Sequence, residues 1–140
     1  MKRKKMKALS LIFEHVLLFM FSVIIFISSL ALFRGYESSF NELTVKDQLT
    51  EIGEYISSNI IKLSEREEAS IKIRIPTRAG NEFYIIYLSN TGLNLTSMDT
   101  NITRHFDLYN INKSLELKGR VVSSSGNSMI YKTGNQIIIT

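Results

Sequence analysis

The chain has no cysteine and no tryptophan, and its 140 residues include one proline and two histidines. Without cysteine, neither a disulfide framework nor a thiolate zinc site can form. Of the two histidines, His15 borders the long apolar run and only His105 lies well outside it; one such histidine without cysteines argues against a histidine-based metal site or catalytic triad. The seven glycines are scattered and form no phosphate-binding loop. We therefore predict that the protein is not an enzyme and binds no cofactor or metal.

The positive charge of the chain is concentrated at its N-terminus. The formal net charge is +4, and five of the 17 basic residues lie within the first seven positions: Lys2, Arg3, Lys4, Lys5 and Lys7. The rest of the chain carries 12 basic and 13 acidic residues, a net charge of −1. The basic character thus belongs to the leader, and we expect no nucleic-acid partner for the remainder.

Residues 16–33 read VLLFMFSVIIFISSLALF, without a charge, proline or glycine. As a helix this run would be about 27 Å long, close to the hydrocarbon thickness of a bilayer. Its three serines can donate hydrogen bonds to carbonyls one turn earlier. A helix that is apolar all round needs a complete apolar envelope, which a chain of this size cannot supply. We predict a transmembrane helix over residues 9–34, with membrane lipid as its first partner.

Basic residues before the span predict a cytoplasmic N-terminus and an extracellular C-terminal domain, hence a single-pass protein of the cell membrane. A removable secretory signal is the alternative. Such signals have an apolar region of about 7–15 residues and an Ala-x-Ala-like cleavage site. The run here is longer, and Ser29-Leu30-Ala31 is a poor site. A retained anchor is therefore favoured.

The residues Lys7-Ala8-Leu9-Ser10, a basic residue and a small residue before an apolar stretch, resemble the class III signal peptide of archaeal type IV pilins and archaellins. The resemblance implies cleavage between Ala8 and Leu9 by a prepilin peptidase-like enzyme. Residues 1–8 would be a leader, and the apolar helix would stay with the mature protein. Glu14 would then be the sixth mature residue, whereas bacterial pilins carry a glutamate at the fifth.

Two interpretations of Glu14 follow. A carboxylate beside hydrocarbon costs a few kcal/mol unless it is paired, neutral or able to reach the headgroups. In the first interpretation it pairs with the new amine of Leu9 on a neighbouring subunit and sets the register of a filament. In the second, Glu14 and His15 reach the cytoplasmic interface.

After the span, apolar residues recur mainly at steps of three and four between Phe40 and Leu63, with acidic and polar residues between them. This pattern predicts an amphipathic helix over residues 35–64 whose apolar stripe must pack on something. Gly53 lies within it without a reason that the sequence reveals. Beyond a charged turn the period changes to two, which predicts a β domain over residues 65–140.

We expect about six strands, with a two-residue hairpin at Gly134-Asn135 and a long loop over residues 98–112. The strands are predicted at 71–75, 83–88, 93–97, 115–122, 129–132 and 136–140. The fold class is thus α+β: a long N-terminal hydrophobic helix, continuing as an amphipathic helix, packed on an antiparallel β-sheet or a small β-sandwich.

Three tripeptides match the N-glycosylation acceptor pattern, and they begin at Asn94, Asn101 and Asn112. Their grouping around one loop favours an exported surface domain. Asp99 and Asp107 in the same region could bind calcium loosely with Asn101 and Asn110, but a solvated polar loop is the favoured interpretation.

Two functions remain. The first is a structural subunit of a type IV pilus-like surface filament, or a minor pilin, that associates with itself or with other pilin-like subunits through the N-terminal helix. The second is a static single-span accessory protein, similar to archaellum stator proteins or to another envelope module, whose external β domain binds a partner.

Overall fold

In a computed structural model of the chain, residues 12–109 and 111–140 are described in full, and residues 2–11 by their helical backbone. The chain divides into two compact units, Met1–Phe40 and Asn41–Thr140. One helix, α1 (Lys2–Ser64), contributes to both. Ala8 and Leu9, the predicted cleavage site, lie outside the residues described in full.

The described part of the first unit is one helix, which is apolar on all sides over residues 16–33. Every side chain described between residues 12 and 40 is exposed. The hydroxyls of Ser22 and Ser29 donate to the carbonyls of Leu18 and Ile25 at 2.9 and 2.8 Å, as predicted. Among the described residues one helix, Ile12–Ser64, is long and apolar enough to cross a membrane. The expected span is therefore present as a helix of the required length and composition.

The second unit is a helix packed on one sheet, so the α+β prediction is confirmed. The C-terminal part of α1 buries one apolar stripe, with spacings of three and four residues: Val45, Leu49, Ile52, Ile56, Ile60 and Leu63. The stripe belongs to the same core as the inward-facing residues of the sheet, such as Ile73, Ile86, Leu95 and Ile137. Burial of these faces against each other provides most of the unit's stabilisation.

The sheet has seven strands in the order β1-β6-β7-β5-β2-β3-β4. Every neighbouring pair is antiparallel except β5 and β7, which are parallel. A short 3-10 turn, Ser123–Ser125, links β5 to β6. The strands are β1 (Ala69–Arg74), β2 (Tyr84–Ser89), β3 (Gly92–Ser97), β4 (Thr103–Phe106), β5 (Glu116–Val122), β6 (Asn127–Thr133) and β7 (Gln136–Ile139).

Three details of the β domain differ from expectation or refine it. The domain is a single sheet rather than a sandwich, and it has seven strands because β4 forms within the segment that the sequence predicted as a loop. The inward-facing positions of β4 hold Arg104 and Phe106, so the strand lacks an apolar alternation. The hairpin at Gly134-Asn135 is confirmed: Thr133 pairs with Gln136, and Gly134 adopts φ of 55°.

The packing of the Phe106 ring explains why residue 53 is a glycine. A methyl group added to Gly53 would overlap the Phe106 ring, which packs directly over the helix backbone at this point. The edge strand β4 therefore approaches the helix through an aromatic ring that only a glycine accommodates. Because Phe106 is distant in sequence, the periodicity of the helix cannot reveal this contact.

The C-terminus of α1 is capped from the sheet. The Lys132 ammonium on β6 donates to the carbonyl oxygens of Ser64 and Arg66 at 2.8 and 2.6 Å. The last carbonyls of a helix lack partners within the helix, and a cation there is also favoured by the helix dipole. This contact fixes the end of the helix against the sheet.

We expect Gly53→Ala to destabilise the second unit by about 1–3 kcal/mol, because the Phe106 ring must leave its packed position. Helix propensity alone predicts the opposite sign, a gain of about 1 kcal/mol. The measurement is denaturant unfolding of the full chain in detergent, followed by near-ultraviolet circular dichroism.

Gly35→Ala is the matched control, since nothing lies within 4 Å of the position of its added methyl group. It should cause no loss of stability. In the Phe106→Ala background, Gly53→Ala should no longer lower the free energy of unfolding. A Gly53→Ala variant as stable as the wild type would contradict this account of Gly53.

Candidate assembly surface and polar clusters

The apolar surface of the first unit is the largest feature that the chain leaves uncovered. Sixteen large apolar side chains between Ile12 and Phe33 are exposed, and they surround the helix. Full burial of one such side chain contributes roughly 1.5–3 kcal/mol of favourable free energy. The total is on the order of tens of kcal/mol, and such a surface is expected of a helix that lies in lipid or among other apolar helices. Tyr36 and Phe40 extend the exposed apolar surface beyond Arg34.

Glu14 is the only acidic residue among residues 12–33. It is exposed, and Phe13, Leu17, Leu18 and Phe21 line a shallow groove with it. No cation of the described residues lies within ion-pair distance of its carboxylate. Any charged partner of Glu14 must therefore come from the leader, the lipid headgroups or another chain.

The second unit contains one buried carboxylate, Glu82. It is 5% exposed and accepts hydrogen bonds from the Ser97 hydroxyl, from the Thr100 hydroxyl at 2.8 Å and from the Thr100 amide at 3.2 Å. Burial by itself raises the pKa of this carboxyl, but the hydrogen bonds from Ser97 and Thr100 together outweigh it, and the pKa is lowered. Glu82 thus clamps the β1–β2 connection to the turn after β3. The sequence offers no signal for this contact, which depends on the sheet register.

His105 lies in a polar network on the exposed side of the β3–β4 hairpin. Its Nδ1 is 2.6 Å from Asn94 Oδ1, and its Nε2 is 2.9 Å from Asp107 Oδ1. Hydrogen bonds from Tyr109 and His105 lower the pKa of Asp107, and the bond to Asp107 raises the pKa of Tyr109. Both ring nitrogens are engaged by an amide and a carboxylate, with no nucleophile on either. The network links neighbouring strands and is not arranged as a catalytic triad.

The acidic residues of the predicted loop are separated by a strand. Asp99 precedes β4 and Asp107 follows it, so the structure does not bring these two carboxylates together. Asn110 lies outside the described residues. Within the described residues no group of three histidine, cysteine, aspartate or glutamate side chains is placed to hold a metal ion.

The three glycan-acceptor asparagines have different surroundings. Asn94 is half-buried in the middle of β3, and its side-chain oxygen is bonded to His105. Asn101 is exposed in the β3–β4 turn with φ of 55°, and Asn112 is exposed before β5, where it accepts from the Ser114 amide at 3.2 Å. Asn101 and Asn112 are therefore accessible in turns, whereas a glycan on Asn94 would have to displace the histidine contact.

Comparisons with protein-family models, with curated proteins and with solved structures gave no match to this chain.

The Glu82 clamp predicts a pH dependence of stability. The pKa of Glu82 in the folded state lies below its unfolded value, which is about 4.3 for a free glutamate. The contribution of the clamp is therefore fully present above the unfolded pKa and is lost as the pH falls through the folded pKa. Glu82→Gln should lower the free energy of unfolding at pH 7 by about 1–3 kcal/mol and reduce its decline in acid.

The exposed Glu65 is the matched control, and Glu65→Gln should leave both quantities nearly unchanged. The measurement is the free energy of unfolding from denaturant titrations between about pH 3 and 7, which brackets the ordinary carboxyl pKa. Parallel pH profiles for Glu82→Gln and the wild type would show that this carboxylate does not stabilise the fold.

Proposed function

We propose that the protein is a structural subunit, or a minor subunit, of a type IV pilus-like surface filament, held in the membrane before assembly. The observation that carries the proposal is the composition of α1. One continuous helix is apolar all round over residues 16–33, and its C-terminal part packs by a single stripe on the sheet.

An apolar helix of this kind is stable in two surroundings. Lipid covers it before assembly, and the helices of neighbouring copies cover it in a filament. Transfer from one to the other exposes no apolar surface to water. The helix therefore provides both the anchor and the contact surface for assembly, while the second unit remains on the aqueous side.

In this proposal a prepilin peptidase-like enzyme cuts between Ala8 and Leu9 and releases a new amine. The basic leader holds the N-terminus in the cytoplasm, and the second unit lies outside the cell. Glu14 then pairs with the Leu9 amine of a neighbouring copy. The support for this pairing is the absence, among the described residues, of any cation that reaches the Glu14 carboxylate within the same chain.

The direct test is mass spectrometry of the mature N-terminus, applied separately to sheared surface filaments and to membranes from cells that produce the protein. The proposal predicts a filament fraction that contains the chain beginning at Leu9. An intact Met1, or a chain that begins after Ala31, would rule out this mechanism. A protein found only in membranes would favour the static anchor with an external partner-binding domain.

Glu14→Gln tests the register contact, with Glu37→Gln as the control on the same helix outside the apolar run. A charged hydrogen-bonded pair contributes about 1.5–3 kcal/mol, so loss of this contact should lower the recovered filament roughly tenfold or more. Glu37→Gln should not change the yield. Equal yields for the two variants would show that Glu14 has no role in assembly.

A further inference from the structure

The outer face of the sheet, which the helix does not cover, is basic. Alternate residues of β1 and β5 point to this face because Ile73, Leu117 and Val121 point to the core. The cations on it are all exposed: Lys72, Arg74, Lys118 and Arg120. The strands place one acidic residue on the same face, Glu116. Its carboxylate oxygen Oε1 lies 3.9 Å from the Lys118 Nζ.

Apolar side chains lie between these cations. In the strand register Tyr87 is directly opposite Arg120, Met129 is opposite Lys72, and Ile138 is opposite Lys118. Tyr87 and Met129 are 51% and 45% exposed. Tyrosine, methionine and arginine, which all occur on this face, are enriched in protein interfaces, whose rim is polar. We refer to this surface as the basic face.

The opposite side of the same unit is acidic. Asp47, Glu51 and Glu54 follow the i, i+4, i+7 spacing on α1, on the side away from the buried stripe, and Glu65, Glu67 and Glu68 follow in the next turn. Residues 41–68 contain seven acidic and three basic residues, a net charge of −4. Among the described residues none of these carboxylates takes part in an ion pair. We refer to Asp47, Glu51 and Glu54 as the acidic stripe.

The two surfaces cannot neutralise each other within one chain, because the hydrophobic core lies between them. They can meet only when the basic face of one copy contacts the acidic stripe of another. Such a contact joins two different surfaces and is therefore heterologous. Heterologous contacts propagate into rings or open filaments, whereas a self-complementary patch gives closed dimers.

We propose that the basic face docks on the acidic stripe of a second copy of this chain and joins the folded units head to tail. This inference rests on the proposed function, since exposed ion pairs contribute only about 0.2–1 kcal/mol each. Association of the N-terminal helices supplies the high local concentration at which such pairs become effective. The charges then set the orientation of neighbouring units, because orientations that bring like charges together are disfavoured.

The absence of cysteine makes a cross-linking test direct. Glu51→Cys and Lys118→Cys, combined in one full-length chain, place one thiol on each surface. The two positions lie on opposite sides of the unit, and a disulfide needs Cα atoms within about 7 Å, so a bond within one chain is excluded. Oxidation of sheared surface filaments, in which the copies are assembled, should give a ladder of linked copies. Each single-cysteine variant can give dimers at most.

Charge reversal separates specific docking from random collision. Lys72→Glu with Arg74→Glu and Arg120→Glu, in the double-cysteine chain, should lower the yield of species larger than dimers roughly tenfold, as expected for the loss of several exposed pairs. About 1 M salt should have a similar effect, because the Debye length falls to about 3 Å. Asp47→Lys with Glu54→Lys should restore the ladder in the reversed chain.

A double-cysteine chain that gives no more than dimers would overturn the inference, as would a ladder that neither charge reversal nor salt reduces. Quenching of a fluorophore at Lys118→Cys by brominated anionic lipid, without a ladder, would identify the membrane as the occupant and would also overturn it. The Ile24→Cys variant, oxidised in the same filament fraction, reports the contacts between helices separately. If it forms dimers while the ladder is absent, the inference fails and the proposed filament stands; if no sheared fraction contains the chain, the proposed filament itself fails.

Discussion

The structure depends on one constraint: the chain cannot cover its own most apolar segment. The side chains of residues 12–33 surround a single helix, and all those described are exposed. Exposing this surface to water would cost on the order of tens of kcal/mol of free energy. This exceeds the roughly 5–15 kcal/mol by which a typical domain is stabilised against unfolding. The helix has the length and composition to cross a membrane, and both proposed functions place it in lipid or among other helices.

The same helix acquires a different role beyond Phe40. Its apolar residues narrow to one stripe, and the sheet covers that stripe. Three contacts distant in sequence fix this unit: the Phe106 ring over Gly53, the Lys132 ammonium at the carbonyls of Ser64 and Arg66, and the Glu82 clamp. They hold the helix and the sheet together and leave two outer surfaces of opposite charge.

Features that depend on local periodicity could be predicted from the sequence. These include the apolar span, the amphipathic helix, most strands and the hairpin at Gly134-Asn135. Strand β4 could not, because Arg104 occupies an inward-facing position and removes the alternation that marks a strand. The order of the strands, the parallel β5–β7 pair and the partners of Glu82 and His105 depend on long-range pairing, which the spacing of residues along the chain does not encode. The cleavage site and the role of Glu14 remain predictions from resemblance.

The central claim is that the N-terminal helix needs apolar surroundings. Its most direct test is analytical ultracentrifugation of the full-length protein, purified in detergent and then transferred to buffer without detergent. The account predicts a defined species in detergent and large aggregates or precipitate after its removal. A monodisperse, soluble monomer without detergent, with α1 still helical by circular dichroism, would contradict it.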